Sequence, residues 1–506
     1  MAGESASLRL PCAVTCSQSR LHRHGVWFRR FGAVICLASL YAPADAQQLT
    51  AAQSDPIKLG WMQGFPPPAD KLIGQPDSDY FSFPKLRWSV CHIRELLPTE
   101  AVSRGLDAPA PLRQALDSSI DAVRFTPLGS SKSMTWEQSL AANYTDGIVV
   151  LHQGRVVYER YFGCLDERGK HAAMSMTKSL TGLLAEVLVA EGGLDDQAKV
   201  AAVIPELASS AFGDATVRQV MDMTTALDFS EDYANPEAQI WTYSAAANPL
   251  PKPADYQGPI GYYAYLQTVA KAGTHGEAFG YKTVNSDVLG WIIARVTGKA
   301  VSELVSERLW QRMGTEQDAY YTVDALGTPF AGGGLSAGLR DMARLGQLML
   351  DEGLHNGERL FPAEAVRTIR AGGDKQLFAK AGYSTLPGGS YRAMWWILHN
   401  DHGAFAARGV HGQTLYIDPT AQTVIARFAS HPSAKNADND PTSLPAYQAL
   451  ADHLMQKRPT LIQLRRGEPR PAPASDHPHR TPDGWFGPAD APVGHLASTR
   501  CCGWIR

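Results

Sequence analysis

A serine and a lysine stand three residues apart at the start of a helical stretch, Ser175-Met176-Thr177-Lys178. Positions i and i+3 lie on one face of a helix, so the amine of Lys178 can reach the hydroxyl of Ser175. A hydroxyl is a weak nucleophile until a neighbouring base removes its proton. Lysine can be that base when it is neutral, and burial and the positive end of a helix both disfavour its charged form. The pair therefore indicates a nucleophilic serine that carries its own base.

The spacing alone does not decide this, because an ordinary amphipathic helix often shows Ser-x-x-Lys. A second group must protonate the leaving group, and donors must stabilise the oxyanion. About a hundred residues later, Tyr281 stands in a turn before an apolar helix and could pass that proton. Taken alone, an inert surface or core tyrosine is the alternative interpretation.

Three motifs follow one another in the chain: Ser175-x-x-Lys178, Phe279-x-Tyr281-x-x-x-Asn285-x-x-x-Leu289-Gly290, and Gly332-Gly333-Gly334-Leu335-Ser336 before a helix. Together they resemble the serine β-lactamase-like superfamily. This superfamily includes class C β-lactamases, DD-peptidases, family VIII esterases and 6-aminohexanoate-dimer hydrolases. Further segments resemble the last group: Met62-Gln63-Gly64-Phe65-Pro66, Glu231-Asp232-Tyr233, Trp395-Trp396 and Gly409-Val410-His411-Gly412-Gln413.

The resemblance implies a role for each matching position. Ser175 would be the nucleophile that forms an acyl-enzyme, and Lys178 the base that activates it. Tyr281 would carry the proton to the leaving group and later activate water. The backbone N–H groups of Ser175 and Val410 would form the oxyanion hole. We therefore expect a serine hydrolase.

Four further side chains are candidates for binding the substrate: Tyr233, Asn285, Trp396 and His411. The resemblance implies no cofactor. His477 and His479 lie near the end of the chain, and no other segment has the spacing of metal ligands. We therefore expect no metal site.

Departures from the family pattern limit the classes of substrate that we expect. The Lys-Thr-Gly strand, whose lysine helps to bind the β-lactam carboxylate, is absent. Its glycine should be Gly409, or Gly412 in a shifted register, and Ala407 or Val410 then stands where the lysine should be. This favours carboxylic esters or small linear amides. The alternatives are a β-lactamase or DD-peptidase-type enzyme, and a catalytically silent binding protein on the same fold.

A different nucleophile is also conceivable within the hydrolases. The segment 334–338 fits Gly-x-Ser-x-Gly, the nucleophile elbow of α/β-hydrolases, with Ser336 at its centre. Asp401 and His411 follow in the right order. That elbow requires an apolar strand before it, whereas residues 325–333 are typical of turns. The sequence therefore favours Ser175.

Composition indicates a soluble globular protein. The 506 residues are 44% hydrophobic and 19% charged, with a net charge of −3. This balance gives no reason to expect nucleic acid as a partner. No apolar run reaches the roughly 18 residues that a transmembrane helix needs. The partner expected is a small-molecule ester or amide, and the oligomeric state stays open.

The first residues have the pattern of an export signal. Arg29 and Arg30 precede an apolar run over residues 31–42, and Ala44-Asp45-Ala46 follows as a small-x-small cleavage site. We expect a leader over residues 1–46, cleavage after Ala46 and a periplasmic or extracellular location. A disordered tail is the alternative. Of seven cysteines only Cys91 and Cys164 lie in the body, so we expect no disulfide framework.

The strand and helix patterns predict an α+β fold of the β-lactamase/DD-peptidase type. Strands are predicted in an early hairpin (146–161) and late in the chain (391–398, 412–418 and 423–429). They would form one mainly antiparallel sheet, with the intervening helices as a second lobe. Residues 47–125 would be an irregular arm packed on the body, 126–457 the hydrolase domain and 458–506 a disordered tail.

Overall fold

The computed structural model describes residues 48–74, 79–232 and 235–457 of the 506-residue chain. The predicted leader, the predicted tail and Tyr233 lie outside the described residues. Within those three ranges, no helix combines the length and the apolar composition needed to cross a bilayer.

The helices and strands of the described residues are numbered in chain order. The α-helices are α1 Leu86–Ser89, α2 Ile93–Leu96, α3 Trp136–Ala142, α4 Met176–Ala190, α5 Val200–Val203, α6 Val217–Met221, α7 Gln239–Ala247, α8 Tyr262–Leu266, α9 Val284–Thr297, α10 Val301–Val305, α11 Leu339–Leu350, α12 Ala363–Ala371, α13 Lys375–Ala379 and α14 Asn436–Gln456. The strands are β1 Thr99–Val102, β2 Arg113–Gln114, β3 Arg124–Phe125, β4 Met134–Thr135, β5 Thr145–His152, β6 Arg155–Tyr161, β7 His171–Ala172, β8 Leu227–Asp228, β9 Ala270–Lys271, β10 Ala319–Thr322, β11 Leu335–Ala337, β12 Leu354–His355, β13 Glu358–Arg359, β14 Ser390–Arg392, β15 Trp395–Ile397, β16 Phe405–Gly409, β17 Gln413–Asp418 and β18 Thr423–Ala429.

The largest sheet joins the early hairpin to the late strands. Its order is β14-β15-β16-β17-β18-β5-β6-β2, and every pair is antiparallel except β2 with β6. The predicted α+β fold, in which one mainly antiparallel sheet unites both ends of the body, is therefore confirmed.

Helices cover both faces of this sheet. On β5, Val149 and Leu151 belong to the apolar cluster that contains α11, whereas Ile148 and Val150 belong to the cluster that contains α3 and α14. Successive side chains of a strand point to opposite faces, so both faces of a strand covered in this way must be apolar. This explains the uninterrupted Ile-Val-Val-Leu run at its centre.

Two late elements differ from the prediction. The strand expected over residues 391–398 is a hairpin of β14 and β15, because Ala393 and Met394 adopt left-handed conformations with φ of 45° and 65°. The final helix is longer than predicted. The sequence predicts that helix only over the apolar stretch 444–455, whereas the observed helix begins at Asn436 and includes Pro441 and Pro445.

A second sheet, β1-β10-β11-β7, has strands of only two to four residues, which carry too little periodicity to predict. It contacts the nucleophile segment directly, because Ala173 donates its backbone N–H to the Leu335 carbonyl at 2.8 Å. On the other side, α4 packs against α9, α12 and β16.

The N-terminal segment packs onto the body through apolar and covalent contacts. Leu86 and Trp88 share an apolar cluster with Met174 and Tyr320 of the body. A disulfide joins Cys91 to Cys164, which are 73 positions apart. The sequence predicts no disulfide framework, and this bond corrects that prediction: long-range packing brings together two cysteines that no local spacing connects. The predicted domain boundaries stay a prediction.

Candidate active site

Ser175 and Lys178 meet at the start of α4, as their spacing predicts. Lys178 Nζ donates to Ser175 Oγ at 3.0 Å and to the Gly332 carbonyl at 2.6 Å. The lysine side chain is only 1% exposed. Ser175 is the residue before the helix, and its side chain does not cap the helix. The hydroxyl is therefore held by the lysine amine rather than used for structure.

Close packing fixes the backbone that carries this pair. Met174 has a φ of 48°, a conformation uncommon for a residue with a side chain. Thr177 holds it, since its hydroxyl donates to the Met174 carbonyl at 2.6 Å and accepts from the Leu335 N–H at 3.2 Å. Further along α4, a Cβ on Gly182 would lie 1.9 Å from the Ala393 carbonyl oxygen, so only glycine fits. The nucleophile helix is thus pressed against the β14–β15 turn.

Tyr281 lies beside the lysine. Its ring centre is 5.2 Å from Lys178 Nζ, and the ring stacks on Trp396 with centroids 5.5 Å apart and planes at 26°. The tyrosine and tryptophan motifs are more than a hundred residues apart in sequence, and the structure brings both to the Ser175–Lys178 pair. Trp396 thus packs on Tyr281 beside the Ser175–Lys178 pair, and its contact with a substrate stays a prediction.

The end of β16 approaches the backbone of the nucleophile. A Cβ on Gly409 would lie 3.0 Å from the Ser175 nitrogen and 2.9 Å from the Ala173 carbonyl oxygen. Val410 follows at the start of a short 3₁₀ turn. No acceptor in the described part of the chain bonds to the backbone N–H of Ser175 or Val410. Both groups that the prediction assigns to an oxyanion hole are therefore available as donors.

Two predicted substrate-binding residues are instead structural. Asn285 is fully buried: it accepts from the Thr225 hydroxyl at 2.7 Å and donates to the Lys282 carbonyl at 3.1 Å. His411 is buried with Nδ1 2.7 Å from the His431 carbonyl oxygen, and burial lowers its pKa to about 4. Neither side chain is open to a ligand, which corrects the prediction. Tyr233, the remaining candidate, lies outside the described residues.

The alternative nucleophile, Ser336, does not lie on an elbow. It is the middle residue of β11, is buried, and pairs with Tyr320 on one side and Ala172 on the other. A nucleophile elbow needs a sharp exposed turn between a strand and a helix. The elbow interpretation is therefore wrong.

Comparison with known proteins agrees with the site geometry. Residues 138–448, more than half of the chain, match the family described as Beta-lactamase. The chain belongs to the beta-lactamase family. A 6-aminohexanoate-dimer hydrolase of Paenarthrobacter ureafaciens is 36% identical over 362 residues, which cover 71% of this chain and 89% of the relative.

A solved structure is also similar to this chain. It is a Bacillus anthracis protein named as a candidate 6-aminohexanoate-dimer hydrolase. It superimposes with a TM-score of 0.67 and 35% identity, over 74% of this chain and 96% of the other. This member of the beta-lactamase family is accordingly a serine hydrolase, and its similarity to 6-aminohexanoate-dimer hydrolases extends over most of the folded chain.

Two carboxyl groups near Ser175 and Lys178 were not predicted from the sequence as parts of this beta-lactamase-family site. Glu231 accepts a hydrogen bond from the Thr283 backbone N–H, and burial raises its pKa. Asp287, within α9, accepts from the Tyr243 hydroxyl at 2.6 Å, and burial raises its pKa to about 7. Only the Glu-Asp-Tyr segment gave a sequence signal for Glu231. Nothing distinguishes Asp287 from any helical aspartate until its burial is known.

Proposed function

We propose that this chain hydrolyses carboxylic esters or small linear amides through an acyl-enzyme on Ser175, as a 6-aminohexanoate-dimer hydrolase-like enzyme. The observation that carries the proposal is the 3.0 Å contact between Lys178 Nζ and Ser175 Oγ. Tyr281 beside the same amine supplies the third group that the reaction requires.

The first half of the reaction forms the acyl-enzyme. Neutral Lys178 removes the proton from Ser175 Oγ, which adds to the substrate carbonyl carbon. The N–H groups of Ser175 and Val410 donate to the developing oxyanion. Tyr281 then protonates the leaving alcohol or amine as its bond to the carbonyl carbon breaks, and Lys178 returns its proton to Tyr281.

The second half releases the product. Tyr281 passes its proton to Lys178 and takes a proton from a water molecule, whose oxygen attacks the acyl carbon. The bond to Ser175 Oγ then breaks, and Lys178 returns its proton to the serine oxygen, which restores the starting state. By microscopic reversibility, the groups that protonated the leaving group now activate the water.

The register of β16 supports linear substrates over β-lactams. Gly409 lies beside the Ser175 nitrogen, as expected for the glycine of a Lys-Thr-Gly strand. Ala407, two residues earlier, is buried and apolar where that lysine should be. An alanine cannot pair with a carboxylate. The name of the Paenarthrobacter relative supports a linear amide of 6-aminohexanoate as one substrate.

A panel of substrates tests this proposal. Wild type, Ser175→Ala and Ser336→Ala should be assayed with p-nitrophenyl esters, short linear amides including the 6-aminohexanoate dimer, and nitrocefin. We expect ester or linear-amide turnover that is lost in Ser175→Ala and retained in Ser336→Ala. Rapid nitrocefin turnover would contradict the argument from Ala407. If the wild type hydrolyses none of these substrates, the result would favour the alternative of a catalytically silent binding protein.

Export is part of the proposal. Disulfides persist mainly in oxidising compartments, so the Cys91–Cys164 bond supports a periplasmic or extracellular location. N-terminal sequencing of protein from the medium or periplasm should give a start near Gln47. An intact Met1 in that material would contradict cleavage of the leader.

A further inference from the structure

A small cavity lies between the face of β16–β18 and the first turns of α14. Of the described residues that line it, three are charged: Arg408, Arg427 and Asp440. They are 6%, 2% and 2% exposed. The centre of a water-sized molecule can occupy about 10 Å³ of this space, enough for one small ligand. The cavity thus has a net charge of +1 in a region shielded from water.

The surplus charge belongs to Arg427. Asp440 pairs with Arg408 and accepts a further bond from the Thr385 hydroxyl. Arg427 donates through Nε to the Gly412 carbonyl at 3.0 Å, and no carboxylate of the described residues pairs with it. Burial, with Arg408 nearby, lowers the pKa of Arg427. A buried charge without a counter-charge is strongly unfavourable.

Two buried polar side chains line the same cavity. Asn439 Oδ1 is buried and has no hydrogen-bond partner among the described residues, and the buried Tyr447 hydroxyl has the Thr414 side chain beside it. Asn439 Oδ1 is an acceptor beside Arg427, since both it and Arg427 Nη2 lie within 3.4 Å of the Cβ position of Gly412. The Tyr447 hydroxyl can donate. A negatively charged ligand that accepts a hydrogen bond from the Tyr447 hydroxyl would satisfy that hydroxyl and neutralise Arg427.

The helix end adds to the positive potential. α14 is 21 residues long and begins at Asn436, and no side chain of its N-cap residue Lys435 accepts a bond from its first N–H groups. The start of a helix carries a partial positive charge that favours anions. Asn436, Asn439 and Asp440, all lining the cavity, belong to its first two turns.

We propose that the cavity binds one small monovalent anion of the halide type, chloride in solution, between Arg408, Arg427 and Tyr447. One negative charge neutralises the +1 of the site. The small space and the single surplus charge favour a small monovalent anion over phosphate or sulfate. Asp440 stays paired with Arg408.

Two contacts connect the proposed anion site to the active site. Arg427 holds the carbonyl of Gly412, which ends the turn that begins at Val410. Arg408 lies 5.4 Å from the ring centre of Trp396, on which Tyr281 stacks. The anion therefore stabilises the strand ends that carry the proposed oxyanion donor. The proposal does not depend on the identity of the substrate.

Thermal unfolding in sodium chloride, sodium bromide and sodium gluconate at equal ionic strength tests this proposal. We expect chloride and bromide to raise Tm by about 2 °C with saturation, and gluconate to have no such effect. Crystals grown with bromide should show an anomalous peak between Arg427 and Tyr447. Equal melting in all three salts, or a cavity without a bromide peak, would mean that water fills it and would overturn the proposal.

Variants assign the response to the cavity. Arg427→Met should abolish the saturable halide effect, and Tyr447→Phe should weaken it several-fold. Arg367→Met, at an exposed arginine, is the matched control and should retain the effect. A full halide response in Arg427→Met would contradict the site. Should that variant fail to fold, the bromide peak in the wild-type crystal decides.

Discussion

The amine of Lys178 lies 3.0 Å from the hydroxyl oxygen of Ser175, and the carbonyl of Gly332 fixes that amine from the other side at 2.6 Å. The lysine is buried and cannot swing away to solvent. A base held in this way is oriented before the substrate arrives, which is the usual source of much of the rate enhancement in such sites.

Removing the amine tests its proposed role as base. Lys178→Met keeps the length and fills the buried volume, so we expect a folded protein whose kcat/KM for p-nitrophenyl esters falls by about 10²–10⁴. The exposed Lys199→Met variant is the control, with activity near that of wild type. Esterase activity above a tenth of wild type in Lys178→Met would rule out the proposed base.

The hydroxyl of Tyr281 can be removed without losing its ring. Tyr281→Phe preserves the stacking on Trp396, so we expect kcat to fall by about 10²-fold or more while KM changes little. Tyr391→Phe is the matched control in the same aromatic cluster, because the Tyr391 hydroxyl is buried without a partner among the described residues. A change confined to KM in Tyr281→Phe would show that the hydroxyl only binds substrate.

The proposed oxyanion hole depends on a glycine. In Gly409→Ala the new methyl group would lie 3.0 Å from the Ser175 nitrogen, which forces β16 away from the nucleophile. Loss of one aligned donor lowers kcat by about 10²–10³, and we expect a fall of this size with a small change in Tm. Gly74→Ala, where an added Cβ meets no atom within 4 Å, is the control. Unchanged kcat in Gly409→Ala would place the oxyanion elsewhere.

The disulfide should make stability depend on redox conditions. Closing a loop between residues 73 positions apart stabilises the fold by at most about 4 kcal/mol in the chain-entropy account. We expect Tm of the wild type to fall in dithiothreitol to that of the Cys91→Ser/Cys164→Ser variant. The variant itself should not respond to the reductant. A wild-type Tm that is equal with and without reductant would contradict a structural disulfide.

Asp287 should make stability depend on pH. Its pKa is raised from 3.8 to about 7 in the folded state, so the folded protein binds the proton more tightly than the unfolded chain. The resulting stability is present below pH 4 and is lost as the pH rises through 7. The stability of Asp287→Asn relative to wild type should therefore increase as the pH rises from 4 to 8.

Denaturant unfolding at several pH values measures this difference. Asp255→Asn, at an exposed aspartate, is the control and should track the wild type throughout. A constant difference between Asp287→Asn and wild type across the range would show that Asp287 does not change its protonation on unfolding.

The contact between Ser175 and Lys178 could be predicted from their spacing in the sequence. Ser175 and Lys178 are neighbours because a helix begins at Met176, and the hairpin of β5 and β6 follows from its own alternation and turn. These contacts depend only on residues close in sequence. The strand predicted over residues 412–418 is β17, Gln413–Asp418, whereas the turn before it was not predicted: His411, with a φ of 63°, lies in that turn.

Long-range packing decided what the sequence could not show. Asn285 fits the family motif, yet its side-chain oxygen accepts a hydrogen bond from Thr225, which is sixty residues away in the sequence. The disulfide and the cavity at Arg427 likewise join segments that share no local pattern. Burial of a polar residue is a property of the assembled fold, so its function could not be assigned from residue type and spacing.

Labelling with a fluorophosphonate probe, followed by peptide mass spectrometry, tests directly whether Ser175 is the nucleophile. We expect a single covalent adduct on the peptide that contains Ser175, absent from Ser175→Ala and much slower to form in Lys178→Met. An adduct on Ser336 or another serine, or ester hydrolysis without any adduct on Ser175, would contradict it.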